Sequence, residues 1–160
     1  MRPELFLIDR DGPGRLHTMA HPRGGEWLPG EMGALAAAGV GVLVSMLSNG
    51  EADGLGLAGE GAAAGSAGIT FWRLPTPDRT VPDRAATLAM ASAIKQELDR
   101  AAAVAVHCRF GIGRSSTLAA AVLILEGLDA STACDRIAAA RGLPVPDTPA
   151  QRAFIERLTP

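Results

Sequence analysis

The chain has 160 residues, 48% of them hydrophobic, and a net charge of −2. That length supports one domain with a full hydrophobic core, expected to span residues 1–160. The charge balance excludes a broad basic face for nucleic acid or anionic membrane, and no apolar run approaches the roughly 18 residues of a membrane-spanning helix.

Met1-Arg2-Pro3-Glu4 leads into a short apolar run and does not read as a signal peptide. Glu4 to Ile8 is expected to be a short strand, Asp9 to Gly14 a turn and Leu16 to Met19 a second strand. His21-Pro22-Arg23-Gly24-Gly25 is a loop by composition. Glu31 to Ala38 reads as a helix that Gly39 ends. Val40 to Met46 is a continuous apolar run, the pattern of a central parallel strand, and Ser48-Asn49-Gly50 breaks it. Glu51 to Ala64 is expected to form one helix weakened by glycines, and Ile69 to Leu74 a strand stopped by Pro75. A long helix should start at Pro82 or Asp83 and run to about Ala102, followed by a strand at Ala103 to Val106. Helices at about Arg114–Glu126, Ala130–Arg141 and Pro149–Leu158 complete the chain. Strands alternating with helices imply an α/β fold with a mainly parallel central sheet flanked by helices. In such a fold ligands sit at the carboxyl ends of the strands.

Between the last strand and the helix from Arg114 runs His107-Cys108-Arg109-Phe110-Gly111-Ile112-Gly113-Arg114-Ser115. Five residues, two of them glycine, separate the cysteine from the arginine. Inward-facing loop amides and a helix N-terminus make an anion site, because unpaired N–H groups and the helix dipole favour negative charge. Arg114 adds a planar cation that can grip two phosphate oxygens. The anion-binding positions are then Arg109, Phe110, Gly111, Ile112, Gly113 and Arg114. The same positive field favours the thiolate of Cys108, and a thiolate beneath a bound phosphate is placed to attack phosphorus.

These nine residues resemble the signature of the cysteine-dependent protein tyrosine and dual-specificity phosphatases: His-Cys, five residues, Arg, then Ser or Thr. The resemblance implies a compact dual-specificity-like domain that needs no metal and no cofactor. It implies that Cys108 attacks phosphorus and forms a phosphocysteine while Arg114 and the loop amides hold the oxygens. Ser115 is then expected to hydrogen-bond the Cys108 thiolate, with capping of the next helix as a compatible use of its hydroxyl. His107 is expected to hydrogen-bond within the loop scaffold.

A leaving alkoxide or phenoxide also needs a proton. Asp78 follows a strand in Leu74-Pro75-Thr76-Pro77-Asp78-Arg79. Dual-specificity phosphatases carry their general-acid aspartate in a similar Pro-x-Pro-Asp-type loop some thirty residues before the cysteine, as here. Asp78 is therefore the expected acid and, in hydrolysis, base; a plain turn residue is the alternative, and Asp83 is expected as a helix N-cap. Gln151 resembles the glutamine that positions the hydrolytic water in some members, with an exposed helix residue as the alternative. Arg23 and Arg109 either face the pocket or are solvated. Cys134 is expected to pack within a helix.

A chain with no tyrosine lacks the tyrosine-bearing loop that deepens the pocket of phosphotyrosine-specific enzymes. The pocket should be shallower, with Phe110 and Trp72 available as an apolar wall. The expected activity is hydrolysis of phosphate monoesters (phosphotyrosine, with phosphoserine or phosphothreonine admitted) on a phosphorylated protein or a small molecule. Two alternatives stand beside it. One is a non-protein phosphate such as a phosphoinositide or sugar phosphate, which loop lysines would favour, and the loop has none. The other is a silent phosphoprotein-binding module, disfavoured by the intact Cys108, Arg114 and Asp78. A monomer is the default expectation. Two cysteines are too few for a disulfide framework, so a reducing compartment, by default the cytoplasm, is expected.

Overall fold

The β-rich apolar runs pair into one five-stranded sheet with the order β1-β2-β5-β3-β4 in this computed structural model, which describes residues 3–158. The strands are β1 Phe6–Leu7, β2 Arg15–Met19, β3 Val40–Ser45, β4 Thr70–Arg73 and β5 Ala103–His107. β1 is antiparallel to β2; the β2–β5, β5–β3 and β3–β4 pairs are all parallel. The α-helices are α1 Leu28–Ala37, α2 Asn49–Gly54, α3 Glu60–Ser66, α4 Arg84–Asp99, α5 Arg114–Leu125, α6 Ala130–Arg141 and α7 Pro149–Glu156, with a 3-10 turn at Gly25–Trp27. No helix among the described residues is long and apolar enough to cross a membrane.

Side chains on a strand alternate between faces, and β5 shows the consequence. Val104 and Val106 join a core built with α4, α5, α6 and α7, whereas Ala105 joins the core under α1, α2 and α3. The mainly parallel sheet is therefore covered on both faces, as expected for its near-continuous apolar strands. α5 is buried along its length from Arg114 to Ile124, which fits a helix apolar almost all round. Its N-terminus follows the loop after β5.

One expected element is corrected. The segment from Glu51 to Ala64 is two helices, α2 and α3, broken between Gly54 and Glu60. Gly56 sits there at φ +72°, and its carbonyl accepts a 2.8 Å hydrogen bond from Gly25 N–H. A Cβ on Gly24 would lie 2.0 Å from the Leu55 carbonyl oxygen. Two loops touch backbone to backbone at this point, and the helix yields to that contact. Ser48-Asn49-Gly50 ends β3 as expected, but as the start of α2: Ser48 caps it through a capping box with Glu51. Asp83 caps α4 by accepting from Ala86 N–H, as expected.

Candidate active site

Four parallel strands deliver the site at their carboxyl ends. β5 leads to Cys108, β3 to the first turn of α2 with Glu51, β4 to the loop carrying Asp78, and β2 to His21. Cys108, Asp78, Arg114 and Gln151 line one cleft of about 230 Å³, together with Arg79, Arg109 and Phe110. Cys108 Sγ lies 3.2 Å from Ser115 Oγ inside the first turn of α5. Gly113 holds the N-cap position of α5, so the Ser115 hydroxyl is left for the thiol rather than used as a cap.

The loop owes its shape to groups that catch its carbonyls from outside. His107 Nδ1 lies 3.2 Å from the Cys108 carbonyl oxygen, and His21 N–H donates to the Arg109 carbonyl at 3.2 Å. Arg141 on α6 donates to the carbonyls of Phe110 and Gly111, both at 3.2 Å, while its guanidinium stacks 4.3 Å from the Phe6 ring centroid. The C=O and N–H of a trans peptide point in opposite directions. Holding those four carbonyls outward turns the N–H groups of Arg109, Phe110, Gly111 and Ile112 toward the cleft. Gly111 makes the turn at φ +71°, where a Cβ would lie 2.7 Å from the Met19 carbonyl carbon. Only glycine fits that position without strain.

Arg114 is 1% exposed. Its Nη1 donates to Glu51 Oε1 at 2.6 Å and to the Thr76 carbonyl at 2.7 Å; its Nη2 donates to Glu51 Oε2 at 2.9 Å and lies 3.1 Å from Asp78 Oδ1. Burial works against the guanidinium charge, but the Glu51 hydrogen bonds and the neighbouring Cys108, Glu51 and Asp78 charges outweigh it and raise its pKa. The Arg114 hydrogen bonds hold the Glu51 carboxyl at about 2, well below 4.5, against the opposing effect of burial. The fork expected to grip a phosphate is thus already occupied by Glu51 on its Nη1–Nη2 edge. Of the five guanidinium hydrogens, the one on Nε is not engaged by Glu51, Thr76 or Asp78.

Gln151 is fully buried, so it is not an exposed helix residue. Its Oε1 accepts from the N–H groups of Asp147 and Thr148, each at 3.1 Å, and its Nε2 donates to the Thr80 carbonyl at 3.3 Å. It ties the Asp78 loop to the start of α7, and an Arg79–Asp147 ion pair of 3.0 Å runs parallel to it. Phe110 is exposed beside the cleft, but Trp72 packs against the core and does not line it. Arg23 pairs with Glu31 and stacks 4.4 Å from the Trp27 ring, away from the cleft. Cys134 is buried in α6, and burial pushes its thiol up.

Sequence reasoning did not find Glu51, Thr76, His21, Glu60 or Arg141. The first had a legible signal, the Ser48-x-x-Glu51 capping box. The others act across 30 to 88 residues of chain, and nothing local marks them.

No curated protein sequence matches this chain. Solved structures match it closely in fold. Kinase-associated phosphatase, with its catalytic-site cysteine replaced by serine, is 16% identical, with 98% of this chain and 94% of that one covered at a TM-score of 0.87. Tk-PTP in its active form is 22% identical, with 95% of each chain covered and a TM-score of 0.77. PTPMT1 in complex with PI(5)P is 21% identical, with 89% of this chain and 88% of that one covered and a TM-score of 0.75. Likeness at these identities speaks to the fold alone. The family described as polymorphic toxin system, DSP-PTPase phosphatase matches residues 17–128, from β2 through the Cys108 loop and α5. That span holds the sheet from β2 onward and the cysteine loop, and the chain belongs to this DSP-PTPase phosphatase family.

Proposed function

We propose that this protein hydrolyses phosphate monoesters through a phosphocysteine on Cys108. The observation that carries the reading is the convergence in one cleft of Cys108, an inward-facing run of loop amides, Arg114 and Asp78. The Cys108 thiolate attacks phosphorus; the P–S bond forms as the P–O bond to the leaving group breaks. Asp78 gives its proton to the leaving oxygen. The amides of residues 109–112 and the Arg114 Nε–H and Nη2–H hold the three equatorial oxygens. An arriving phosphate takes Nη2 from Asp78, so substrate binding itself frees the carboxyl to face the leaving oxygen. Water then attacks the phosphocysteine and gives a proton to Asp78. The thiolate leaves, steadied by the Ser115 O–H 3.2 Å away. Gln151 acts by fixing the Asp78 loop, since its carbonyl oxygen already accepts two backbone N–H groups.

The catalytic domain takes in the whole chain rather than residues 17–128 alone. Arg141 of α6 and Gln151 of α7 lie beyond the family match, yet both hold the site in shape. Phe110, exposed beside the cleft, suits an aryl ester, which supports phosphotyrosine with other phosphoamino acids admitted. A second reading, a non-protein substrate with a further anionic group, is favoured by Arg79 and Arg109. Their side chains are 63% and 41% exposed on the cleft lining. PTPMT1, of similar fold, has been solved with PI(5)P.

The purified protein should hydrolyse a small aryl phosphate in the presence of chelator. Cys108→Ser should abolish turnover while still binding tungstate, because the amide cradle and Arg114 remain. Substantial residual turnover in that variant refutes the reading. A panel of phosphopeptides and phosphoinositides then separates the two substrate classes by kcat/KM.

A further inference from the structure

Behind the Cys108 loop lies a buried pair that the chemistry above does not use. Strand alternation places Cys108 with the core under α4 to α7 and His107 on the opposite face of β5. There His107 Nε2 lies 2.6 Å from Glu60 Oε1 of α3, and the two residues are 0% and 2% exposed. The other ring nitrogen, Nδ1, is 3.2 Å from the Cys108 carbonyl oxygen.

With Glu60 ionised, both neighbours are acceptors. A neutral imidazole carries hydrogen on one ring nitrogen and satisfies only one of them. An imidazolium beside a carboxylate satisfies both, and each buried charge then has its partner. The surrounding charges leave this pairing in place. Asp53 of α2 and Arg73 of β4 line a cavity with Glu60, but Arg73 is bonded to Asn49 Oδ1 and the Leu47 carbonyl. On the cleft side, Arg114 is engaged by Glu51 and Asp78. Among the described residues, the His107 ring nitrogens bond only Glu60 and the Cys108 carbonyl.

We propose that Glu60 is a positioning residue of this site. It holds His107 with hydrogen on both nitrogens, and the ring in turn keeps the Cys108 carbonyl outward. Arg109 N–H is thereby aimed into the cleft, and a fixed positive charge stands one residue from the nucleophile. The kinetic part of the proposal rests on the phosphatase reading; the placement of the protons does not.

Three measurements test it. Ring-nitrogen NMR of the parent should show hydrogen on both nitrogens of His107 at neutral pH. A bare nitrogen on that ring overturns the proposal, whatever any variant does. Glu60→Gln keeps the size and offers an amide N–H to Nε2, so the Nδ1–H clamp survives while the charge is lost. It should bind tungstate within about threefold of the parent, the clamp and its amide being kept. Its Cys108 should be alkylated by iodoacetamide about tenfold more slowly at neutral pH, with the whole profile displaced to higher pH. Glu60→Ala loses clamp and charge together, so tungstate binding should also fall, by about tenfold to a hundredfold. A folded Glu60→Gln with the parent's alkylation profile overturns the proposal. If Glu60→Ala does not fold, the glutamine variant and the parent NMR decide. If Cys108→Ser retains turnover, the phosphatase reading falls, while the His107 protons and the Cys108 alkylation profile still decide the role of Glu60.

Discussion

Glu51→Gln keeps the shape of the side chain that holds Arg114 and removes its charge. Glu51 is held at about 2 in the folded site against 4.5 for an ordinary glutamate. At about 1.36 kcal/mol per pH unit, that difference corresponds to about 3.4 kcal/mol of preference for the carboxylate. Its side chain is 12% exposed, so solvent screening removes only part of this. Because the folded value is depressed, the stabilisation is fully present above about pH 4.5 and is lost as pH falls through about 2. Urea unfolding of parent and variant should therefore differ by up to about 3.4 kcal/mol at pH 7 and by up to about 1.4 kcal/mol at pH 3. KM for an aryl phosphate should rise in the same variant, since Arg114 loses the partner that sets its plane. A stability difference that stays constant between pH 7 and pH 3 refutes the reasoning, because the variant would then be failing through packing and not through the ion pair.

Asp78→Asn should lower kcat/KM for phosphopeptides by about 10²–10⁴-fold and matter far less for activated aryl phosphates, which leave without a proton. A variant that keeps the parental rate on phosphopeptides makes Asp78 a turn residue only. Arg141→Ala frees the carbonyls of Phe110 and Gly111, so tungstate affinity should fall by about tenfold with only a small loss of stability, measured by calorimetry and thermal unfolding. Gly111→Ala places a Cβ against the Met19 backbone in the left-handed region and should cost about 2 kcal/mol of stability along with most anion binding. Parental stability in that variant means the loop is free to adopt another turn.

The sheet was legible because its signals are local. All five strands and the long helices carry local signals, and the Cys108 loop is a contiguous run between two such elements. What the sequence hid is what acts through space. The break between α2 and α3 comes from Gly24 and Gly25 meeting Leu55 and Gly56 across 30 residues, a contact no window of residues displays. Arg114 reads as a free fork until the fold brings Glu51 and Thr76 to it from the ends of β3 and β4.

Two long-range partners of the site, Glu51 and Gln151, were nonetheless written in the chain as helix starts. Ser48-x-x-Glu51 and Thr148-x-x-Gln151 are both capping boxes, and in each the third residue does two jobs. Glu51 Oε1 accepts from the backbone N–H of Ser48 at 3.1 Å and from Arg114 at 2.6 Å. Gln151 Oε1 accepts from Thr148 N–H while its Nε2 reaches the Thr80 carbonyl of the Asp78 loop. A cap fixes its side chain at low entropic cost, because the helix start already requires that rotamer. Each long-range contact to the site therefore comes from a group the local sequence had already immobilised. Gln151 Oε1 is tied to the backbone N–H groups of both Asp147 and Thr148. In this chain its Nε2 holds the Asp78 loop to α7, and a Cβ added at Gly113 would lie 2.9 Å from its amide. The Asp78 loop and the loop that ends at Gly113 thus both pack against the side chain of one helix cap.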